Sequence, residues 1–274
     1  MYDSRTVMGQ LEAKELGEMA AALEKYYRNA IGCFTMECRG EVPLGVSKIG
    51  GFPDLPPKIE YPKMTGYTKK LLKGFDKGKT ERYEESAMQL VAQINLYDLN
   101  ESEADLDKLL PERGILYIFW SGEISPLESD DWTEYTVDNP ENKDIFKVIF
   151  WDGNMSKLKR TLPPCGFYSK YFEECLPERA IEFGWMDEYS IEAIDEIDDL
   201  EDALEVESYD LSDGGDKLFG YPKGGNAPEI DDDTVNLFQF DFNTDSMWAV
   251  YWLMDRNDLL NRDFSKVTLD FDID

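Results

Sequence analysis

Carboxylates are the side chains of this sequence that could do chemistry. The chain has 58 Asp and Glu residues and no His. The absence of His excludes Ser-His-Asp and Cys-His triads, His-x-x-His zinc sites and the usual general base at neutral pH. Paired carboxylates can still supply an acid with a base or a nucleophile, and six Trp could stack on sugars. Asp54 and its approximate counterparts Asp216 and Asp241 are weak catalytic candidates, so a carboxylate-dependent hydrolase acting on carbohydrate is the alternative function.

A six-residue element occurs twice in the sequence, and further matches follow it in the same order. Lys48-Ile49-Gly50-Gly51-Phe52-Pro53 recurs as Lys217-Leu218-Phe219-Gly220-Tyr221-Pro222. Downstream, 91–96 matches 237–242, and 116–118 matches 250–252. This order predicts a tandem duplication with pseudo-repeats at about 44–160 and 210–271. Chance similarity of alternating strand patterns is the other explanation.

The glycines of this element expose backbone that a ligand or partner could approach. Gly permits backbone conformations closed to other residues, and Pro ends a strand by removing a hydrogen-bond donor. The element therefore predicts a strand followed by a turn, in which a structural use of the glycines is commoner than ligand binding. The residues that would contact a ligand or partner are Gly50, Gly51, Phe52, Gly220, Tyr221, Gln93 and Gln239.

The charge of the chain is strongly negative and unevenly distributed. The net charge is 28 − 58 = −30. Residues 1–80 carry 13 basic and 10 acidic side chains, whereas 81–274 carry 15 and 48. Such a surface repels phosphates, which predicts a basic protein partner and no binding to nucleic acid or membranes; a purely solubilising role is the other explanation. The Lys-rich insertion 58–82 could dock an anion, unless it is a solvated loop.

Metal, membrane and export signals are weak in this sequence. Asp231-Asp232-Asp233 and the acids of 210–216 do not fit a calcium loop, so we expect no cofactor and no specific metal site, only weak Ca or Mg binding. The four Cys lack Cys-x-x-Cys spacing, which favours free thiols in a reducing cytoplasm. The sequence predicts neither a secretion signal nor a membrane span.

Hydrophobic periodicity predicts the elements that must position these residues. Apolar residues from Gln10 to Ile31 repeat every three or four positions, which predicts an N-terminal helix in 1–32 packed on one domain, 33–274. Helices are also predicted at Ser102–Leu110, from Asn257, and in the acidic stretch 187–213. The fold class is therefore α+β and mainly β. Strands are predicted at 33–37, 90–96, 114–120, 145–151, 180–185, 237–242, 248–254 and 267–271.

Several segments, in order, resemble a known bacterial family. They are S-K-I-G-G-F-P-D-L-P at 47–56, L-V-A-Q-I-N-L at 90–96, G-I-L-Y-I-F-W at 114–120 and the closing stretch 258–267. On these segments the chain resembles the YwqG-like family, whose function is unknown, from about Leu44 to Phe271. The resemblance implies a duplicated, mainly β fold and a soluble bacterial protein, and it supplies no established catalytic residues. Relatives often carry His where this chain has Asp216.

Taken together, these patterns predict a non-catalytic acidic protein-binding module in the cytoplasm. Its partner would be a basic protein whose surface it masks. The family resemblance implies immunity toward a toxin as one version of this role. Because charge would steer the association, we expect binding to weaken steeply as salt is added.

Overall fold

The computed structural model describes residues 7–36, 40–71, 80–122, 133–137, 145–166, 175–190, 192–204, 215–224, 227–241 and 249–272. In this part of the chain the fold is β-rich, with one large antiparallel sheet and few, short helices. The prediction of a mainly β protein is confirmed. No helix among the described residues is both long and apolar enough to cross a membrane.

The two longest described strands lie near the middle of the large sheet. The described strands are β1 (Tyr27–Met36), β2 (Lys48–Ile49), β3 (Asp54–Leu55), β4 (Lys63–Leu71), β5 (Thr80–Ala87), β6 (Gln89–Asn95), β7 (Ile115–Trp120), β8 (Thr133–Val137), β9 (Phe146–Trp151), β10 (Lys159–Arg160), β11 (Arg179–Tyr189), β12 (Lys217–Phe219), β13 (Thr234–Asp241), β14 (Ala249–Asp255) and β15 (Thr268–Asp272).

The helices lie at the ends of strands or at the N-terminus. They are α1 (Val7–Ala13), α2 (Gly17–Leu23), α3 (Leu96–Glu101), α4 (Glu192–Glu196), α5 (Leu200–Leu204) and α6 (Arg256–Leu260), with short 3₁₀ helices at Glu24–Tyr26, Met155–Lys157 and Phe264–Lys266. Asn95 caps α3, where its side chain accepts a hydrogen bond from the Tyr97 N–H. Asp255 caps α6 in the same way, so the short helix predicted from Asn257 is confirmed.

Ten strands form the large sheet, in the order β15-β14-β13-β12-β1-β11-β2-β6-β7-β9. Every neighbouring pair in it is antiparallel. The two longest strands, β1 and β11, pair with each other from Tyr27↔Tyr189 to Met36↔Ala180. On its other side β1 pairs with β12, while β11 pairs with β2. Strand β1, from the first half of the chain, therefore lies beside β12 of the second half. Strand β11, from the second half, lies beside β2 of the first half.

The main core covers both faces of β6 and β7, which follow β2 in the large sheet. All residues of β6 and of β7 are buried, and most are apolar. A strand that is covered on both faces reads as a continuous apolar run rather than an alternating one. A single apolar cluster joins the two halves, with Trp120 and Trp252 among its largest side chains. These strands form the rigid frame of the candidate site.

The N-terminal helix is shorter than the sequence predicts. Helix α1 ends at Ala13, Glu15 has a left-handed backbone with φ of 62°, and helical structure stops at Tyr26. The predicted helical residues after Tyr26 belong instead to β1, which pairs with strands on both sides. The apolar spacing fits a helix locally, but pairing with distant strands satisfies more backbone groups and overrides it.

The helix predicted at Ser102–Leu110 is also wrong. Ser102 is the C-cap of α3, and the following residues form turns. The Asp105 carboxylate accepts hydrogen bonds from the N–H groups of Leu109 and Leu110, which stabilises a turn instead of a helix N-terminus. Ser102, from which the sequence predicts the start of a helix, therefore ends the preceding helix α3.

Two charged stretches have more regular structure than a loop. Within the Lys-rich insertion 58–82, β4 and part of β5 belong to a three-stranded sheet with β8, so the solvated-loop interpretation does not hold there; 72–79 lie outside the described residues. In the acidic stretch 187–213, β11 runs to Tyr189 before α4 and α5 begin. Ala193, Ile197 and Leu200 pack on the N-terminal helices, whereas 205–213 lie outside the described residues.

Candidate functional site

The first copy of the repeated element surrounds a buried lysine. Lys48 lies on β2, and its side chain is fully buried. Its Nζ donates hydrogen bonds to the Phe52 carbonyl at 2.6 Å and to Glu178 Oε1 at 2.9 Å, and it lies 3.5 Å from Asp54 Oδ2. Burial lowers the pKa of Lys48, whereas Glu178 and Asp54 oppose that shift. The lysine is a structural cation enclosed by oxygen atoms.

Asp54 is enclosed by donors in the same cluster. Its Oδ1 accepts from Arg160 Nε at 2.7 Å, and its Oδ2 accepts from Gln93 Nε2 at 3.0 Å and from the Gly45 N–H at 2.9 Å. Burial alone would raise the pKa of Asp54, but these donors and the charge of Lys48 hold it below its ordinary value. Asp54 is therefore an ionised, buried carboxylate with donors on both oxygens.

The second copy of the element surrounds another buried lysine. Lys217 Nζ donates to Glu188 Oε1 at 2.6 Å, and both side chains are fully buried. Glu188 Oε2 accepts a hydrogen bond from the Tyr221 N–H at 2.8 Å. Gln239 Oε1 accepts from the Lys223 N–H at 3.0 Å, and its Nε2 donates to the Gly215 carbonyl at 3.2 Å.

The two clusters are alike in strand register and in hydrogen bonding. In each, the lysine faces a glutamine on the next strand, and that glutamine faces a tyrosine on the strand beyond. Each tyrosine hydroxyl then donates to a carbonyl just after the Gly-aromatic-Pro turn. The pairs are Lys48↔Gln93 and Lys217↔Gln239, Gln93↔Tyr117 and Gln239↔Tyr251, and the carbonyls are those of Asp54 and Lys223.

The glycine of each element makes room for the carboxylate that binds the lysine. Gly51 and Gly220 have φ of 67° and 69°. A Cβ on Gly51 would meet the side chain of Glu178, and a Cβ on Gly220 would meet the carboxylate of Glu188. Only Gly combines this backbone conformation with so close a carboxylate. The spacing Lys-x-x-Gly thus has a structural explanation in both copies.

The seven residues proposed for ligand or partner contact all lie within these two clusters. Gly50, Gly51, Gln93, Gly220 and Gln239 are buried, whereas Phe52 and Tyr221 are partly exposed. Tyr221 donates its hydroxyl to the Tyr26 carbonyl at 3.0 Å, and the Arg28 guanidinium lies 4.6 Å from its ring centroid. The contacts seen for the buried members are with the protein itself.

Asp216 and Asp241 lie together in the second cluster, apart from Asp54. Asp216 Oδ1 accepts from the Asp241 N–H at 3.0 Å, and Asp241 Oδ2 accepts from the Gly215 N–H at 3.1 Å. Their positions correspond to Ser47 and Asn95 of the first copy, whose Oγ and N–H are similarly bonded at 2.8 Å. The position that matches Asp54 is held by Lys223, so the three aspartates are not counterparts.

The electrostatics of the clusters favour structure over acid–base chemistry. Burial, together with the nearby Asp241 charge, raises the pKa of Asp216 to about 7. That value suits a general acid, but the Asp241 carboxylate beside it is bonded to backbone. Among the described residues no group of three or more His, Cys, Asp or Glu side chains could hold a metal ion. The described cysteines Cys33, Cys165 and Cys175 are free thiols.

The sequence did not identify three charged residues that complete the two clusters. Glu178, Glu188 and Arg160 each lie far from their partners along the chain, and Glu178 is 130 residues from Lys48. The one usable signal was a lysine inside an apolar strand segment, because a buried cation requires an anionic partner. That signal predicts a partner without naming it.

Comparison with known families gives one match. The model of a family described as a domain of unknown function (DUF1963) matches residues 47–272, which include the lysines of both clusters and all but β1 of the large sheet. No curated protein matches the chain significantly.

Proposed function

Because the chain belongs to the DUF1963 family, whose function is unknown, we propose its function from its own geometry. It is a non-catalytic, acidic protein-binding module that masks a basic surface of another protein. The observation that carries this proposal is the division of its carboxylates. The candidate catalytic carboxylates are buried or bonded to backbone, whereas a larger set faces solvent.

The outward face of α4 and α5 illustrates this division. Its exposed side chains include Glu192, Glu196, Asp198 and Asp202. Lys25 pairs with Glu196 at 3.1 Å, but both side chains are mostly solvent-exposed, so the pair contributes little. The apolar side of the same helices is occupied by the protein's own N-terminal helices. What this segment offers to a partner is therefore negative charge.

Negative charge of this size changes the rate of association with a partner more than it changes the final affinity. The net charge of −30 attracts a basic surface from a distance and repels phosphate-rich partners. Charge complementarity raises association rates at low salt and selects against acidic partners. A cytoplasmic immunity protein that covers a basic toxin is one version of this role, in line with the YwqG-like resemblance.

Affinity capture from native lysate tests this function. The tagged protein is compared at 50 and 500 mM salt with an unrelated protein of equal negative charge, and captured proteins are identified by mass spectrometry. We expect one basic protein to be enriched over the control bait, with an association rate that falls steeply with salt. Recovery of the same generic basic proteins on both baits, or salt-insensitive binding, contradicts the proposal.

A pair of charge variants locates the surface. In the test variant Glu192→Gln, Asp198→Asn and Asp202→Asn remove three charges from α4, α5 and their connection. The matched control removes three other exposed charges through Glu101→Gln, Glu112→Gln and Glu229→Gln. We expect the test variant to slow association with the captured partner about threefold more than the control does. Equal slowing places the partner elsewhere on the molecule.

A carboxylate-dependent hydrolase acting on carbohydrate is the second candidate. The raised pKa of Asp216, about 7, is the observation that favours it. Asp54, with donors on both oxygens and no solvent exposure, is a poor nucleophile or base. If the protein cleaves any glycan of a test panel, Asp216→Asn should abolish turnover, and full turnover in that variant rejects the assignment.

We also propose that the chain arose by tandem duplication. The matched contacts of the Lys48 and Lys217 clusters support this, because chance similarity of strand patterns does not predict the same side-chain bonds in the same register. The halves are not identical, since Phe219, with φ of 62°, stands where the first copy has Gly50. Non-Gly residues rarely adopt this left-handed conformation. Its presence at the same position in both copies therefore supports a common backbone template.

A further inference from the structure

A cleft of about 230 Å³ opens beside the second cluster, in a place that the sequence did not indicate. Asn29 of β1 and Asn236 of β13 line it, together with the apolar side chains of Leu109 and Phe219. Both asparagines are almost completely buried, at 4% and 0% exposure. The cleft thus combines apolar walls with buried amide groups.

Each asparagine leaves one buried oxygen without a partner. Asn29 Nδ2 donates to the Ala104 carbonyl at 3.3 Å, and Asn236 Nδ2 donates to the Phe219 carbonyl at 3.4 Å. Because a carbonyl cannot donate, these contacts assign the nitrogen and oxygen of each amide. Neither Oδ1 has a hydrogen-bond partner among the described residues. Buried polar atoms without partners are rare in native proteins and call for an explanation.

The unpaired groups are both acceptors, which restricts what could fill the cleft. An occupant must bring N–H or O–H donors to the asparagine oxygens. Exposed Asp107 also lines the cleft and favours a positive charge there, whereas Asp232 on the same lining lies 3.5 Å from the Arg28 guanidinium. We propose that this cleft binds a small molecule through a primary ammonium group, which donates to Asn29 Oδ1 and Asn236 Oδ1.

The two arginines of the cleft are compatible with such a ligand. Arg28 donates to the carbonyls of Thr234 and Asp231 at 3.1 and 2.6 Å and lies 3.5 Å from Asp232 Oδ1, so its charge is partly balanced. Arg256 is exposed and lies on the cleft lining. It can pair with a carboxylate on the far end of the ligand, so amino-acid-like zwitterions belong to the same class.

The size of the cleft limits the ligand to a small metabolite. A water molecule takes up about 30 Å³ of liquid, so the cleft holds the volume of roughly eight waters. That corresponds to a ligand of about ten non-hydrogen atoms, smaller than the occupants of typical drug-sized pockets. An alkyl stem packed on Leu109 and Phe219 would place its ammonium group at the buried oxygens.

Titration with two cations tests this site. The whole protein, labelled with ¹⁵N, is titrated with n-butylammonium chloride and, separately, with tetramethylammonium chloride, which has the same charge but no N–H donor. We expect saturable shifts of the Asn29 and Asn236 side-chain amide signals with n-butylammonium alone. Equal responses to both cations, or no saturable shift at those amides, overturn the proposal.

Variants separate hydrogen bonding from general attraction. Asn29→Leu and Asn236→Leu each remove one acceptor, and we expect each to weaken n-butylammonium binding at least tenfold. Asn154→Leu, at an exposed position outside the cleft, should leave the affinity unchanged. Unweakened binding in a folded Asn29→Leu or Asn236→Leu protein overturns the proposal.

A surface variant covers the case in which the buried substitutions prevent folding. Asp107→Asn removes one exposed charge at the cleft, and Asp202→Asn removes one on α5, away from it. We expect Asp107→Asn to weaken n-butylammonium binding about threefold more than Asp202→Asn does. Equal effects would mean that the cation responds only to net charge, which contradicts the site. This readout is independent of any protein partner.

Discussion

Lys48 and Lys217 are equally buried, and in the described part of the chain the Lys48 cluster contains a second cation. Arg160 lies 2.7 Å from Asp54 Oδ1 and 3.0 Å from Glu178 Oε1. If Lys48 were removed, Arg160 would still contact both carboxylates, so neither would be left without a bonded cation. The described contacts of Glu188 include a fully buried lysine and one backbone N–H. Loss of Lys217 therefore removes the cation that is bonded directly to it.

This difference predicts unequal costs for the same substitution. We expect Lys217→Met to lower the free energy of unfolding by about 4 kcal/mol, because a buried carboxylate loses its bonded cation. Lys48→Met should cost about half as much. Urea unfolding at pH 7 measures both values. Adding Glu188→Gln to Lys217→Met should recover about 2 kcal/mol, since the amide oxygen still accepts from the Tyr221 N–H. Equal costs for the two lysines would contradict this account.

Asp216 gives a pH-dependent prediction. Its pKa is about 7 in the folded chain, against 3.8 for the free side chain. Between these values the unfolded state has released a proton that the folded state keeps, so ionisation destabilises the fold increasingly from about pH 4 to pH 7. Asp216→Asn removes this effect. We expect the variant to match the natural chain at pH 4 and to exceed its free energy of unfolding by about 2 kcal/mol at pH 8, allowing for partial solvent screening.

Urea unfolding of both chains across this pH range checks the prediction. Asp202→Asn, at an exposed acid, is the control and should show little change in the difference between pH 4 and pH 8. A difference between Asp216→Asn and the natural chain that stays constant with pH would show that Asp216 does not titrate in this way.

At the scale of elements, the Lys-x-x-Gly turn combines two demands on its glycine. Gly220 has a left-handed backbone, and a Cβ there would meet the Glu188 carboxylate. Gly215 also has a positive φ, of 90°, but no atom lies within 4 Å of its Cβ position. A Cβ on Gly220 would also meet the Ala30 Cβ, so a comparison of the two positions separates backbone strain from these close contacts.

Alanine substitutions test this separation. We expect Gly215→Ala to destabilise the protein by about 1 kcal/mol, the cost of a left-handed residue with a side chain. Gly220→Ala should cost about 3 kcal/mol, because the carboxylate must also move away from its hydrogen bonds with Lys217 and Tyr221. Thermal and urea unfolding measure both values. A similar cost at the two positions would remove the carboxylate from the explanation.

The strands that could be predicted from the sequence are those whose side chains carry a pattern. All eight predicted strands overlap strands of the large sheet, because aromatic and branched runs are typical of buried β structure. The shorter strands β2 and β12, which hold the two lysines, have two and three residues. They are too short for periodicity and were found only through the repeated element.

The residues of the site were less predictable than the strands. The sequence identified Lys48, Gly51, Gln93 and their counterparts as members of one repeated pattern, but it could not bring Glu178 or Arg160 to them. Those contacts depend on the pairing of β11 with β2 and of β10 with β3. Strand pairing over more than 100 residues leaves no local signal in a single sequence.

At the scale of the whole molecule, self-repulsion should make stability depend on salt. A net charge of −30 destabilises the compact state, and added ions screen the repulsion. We expect the Tm to rise by several degrees between 50 and 500 mM KCl, which corresponds to about 1–2 kcal/mol. Differential scanning calorimetry measures the shift, and a flat or falling Tm would contradict the explanation.

The same experiment with divalent ions tests the expectation of weak Ca or Mg binding. At matched ionic strength CaCl₂ and MgCl₂ should raise the Tm about as much as KCl, with a small excess for the divalent charge. A large rise in Tm at 1 mM CaCl₂ would instead show a specific site.

The exchange of β1 and β11 between the halves has a consequence for synthesis of the chain. Tyr27 pairs with Tyr189, and β12, on the other side of β1, begins only at Lys217. At 5–20 residues per second, a ribosome needs about 8–30 s to make the intervening 189 − 27 = 162 residues. During that time the nascent chain displays a strand with both edges open. Segments of this kind aggregate or bind chaperones, so slower translation before residue 180 would lengthen the exposure.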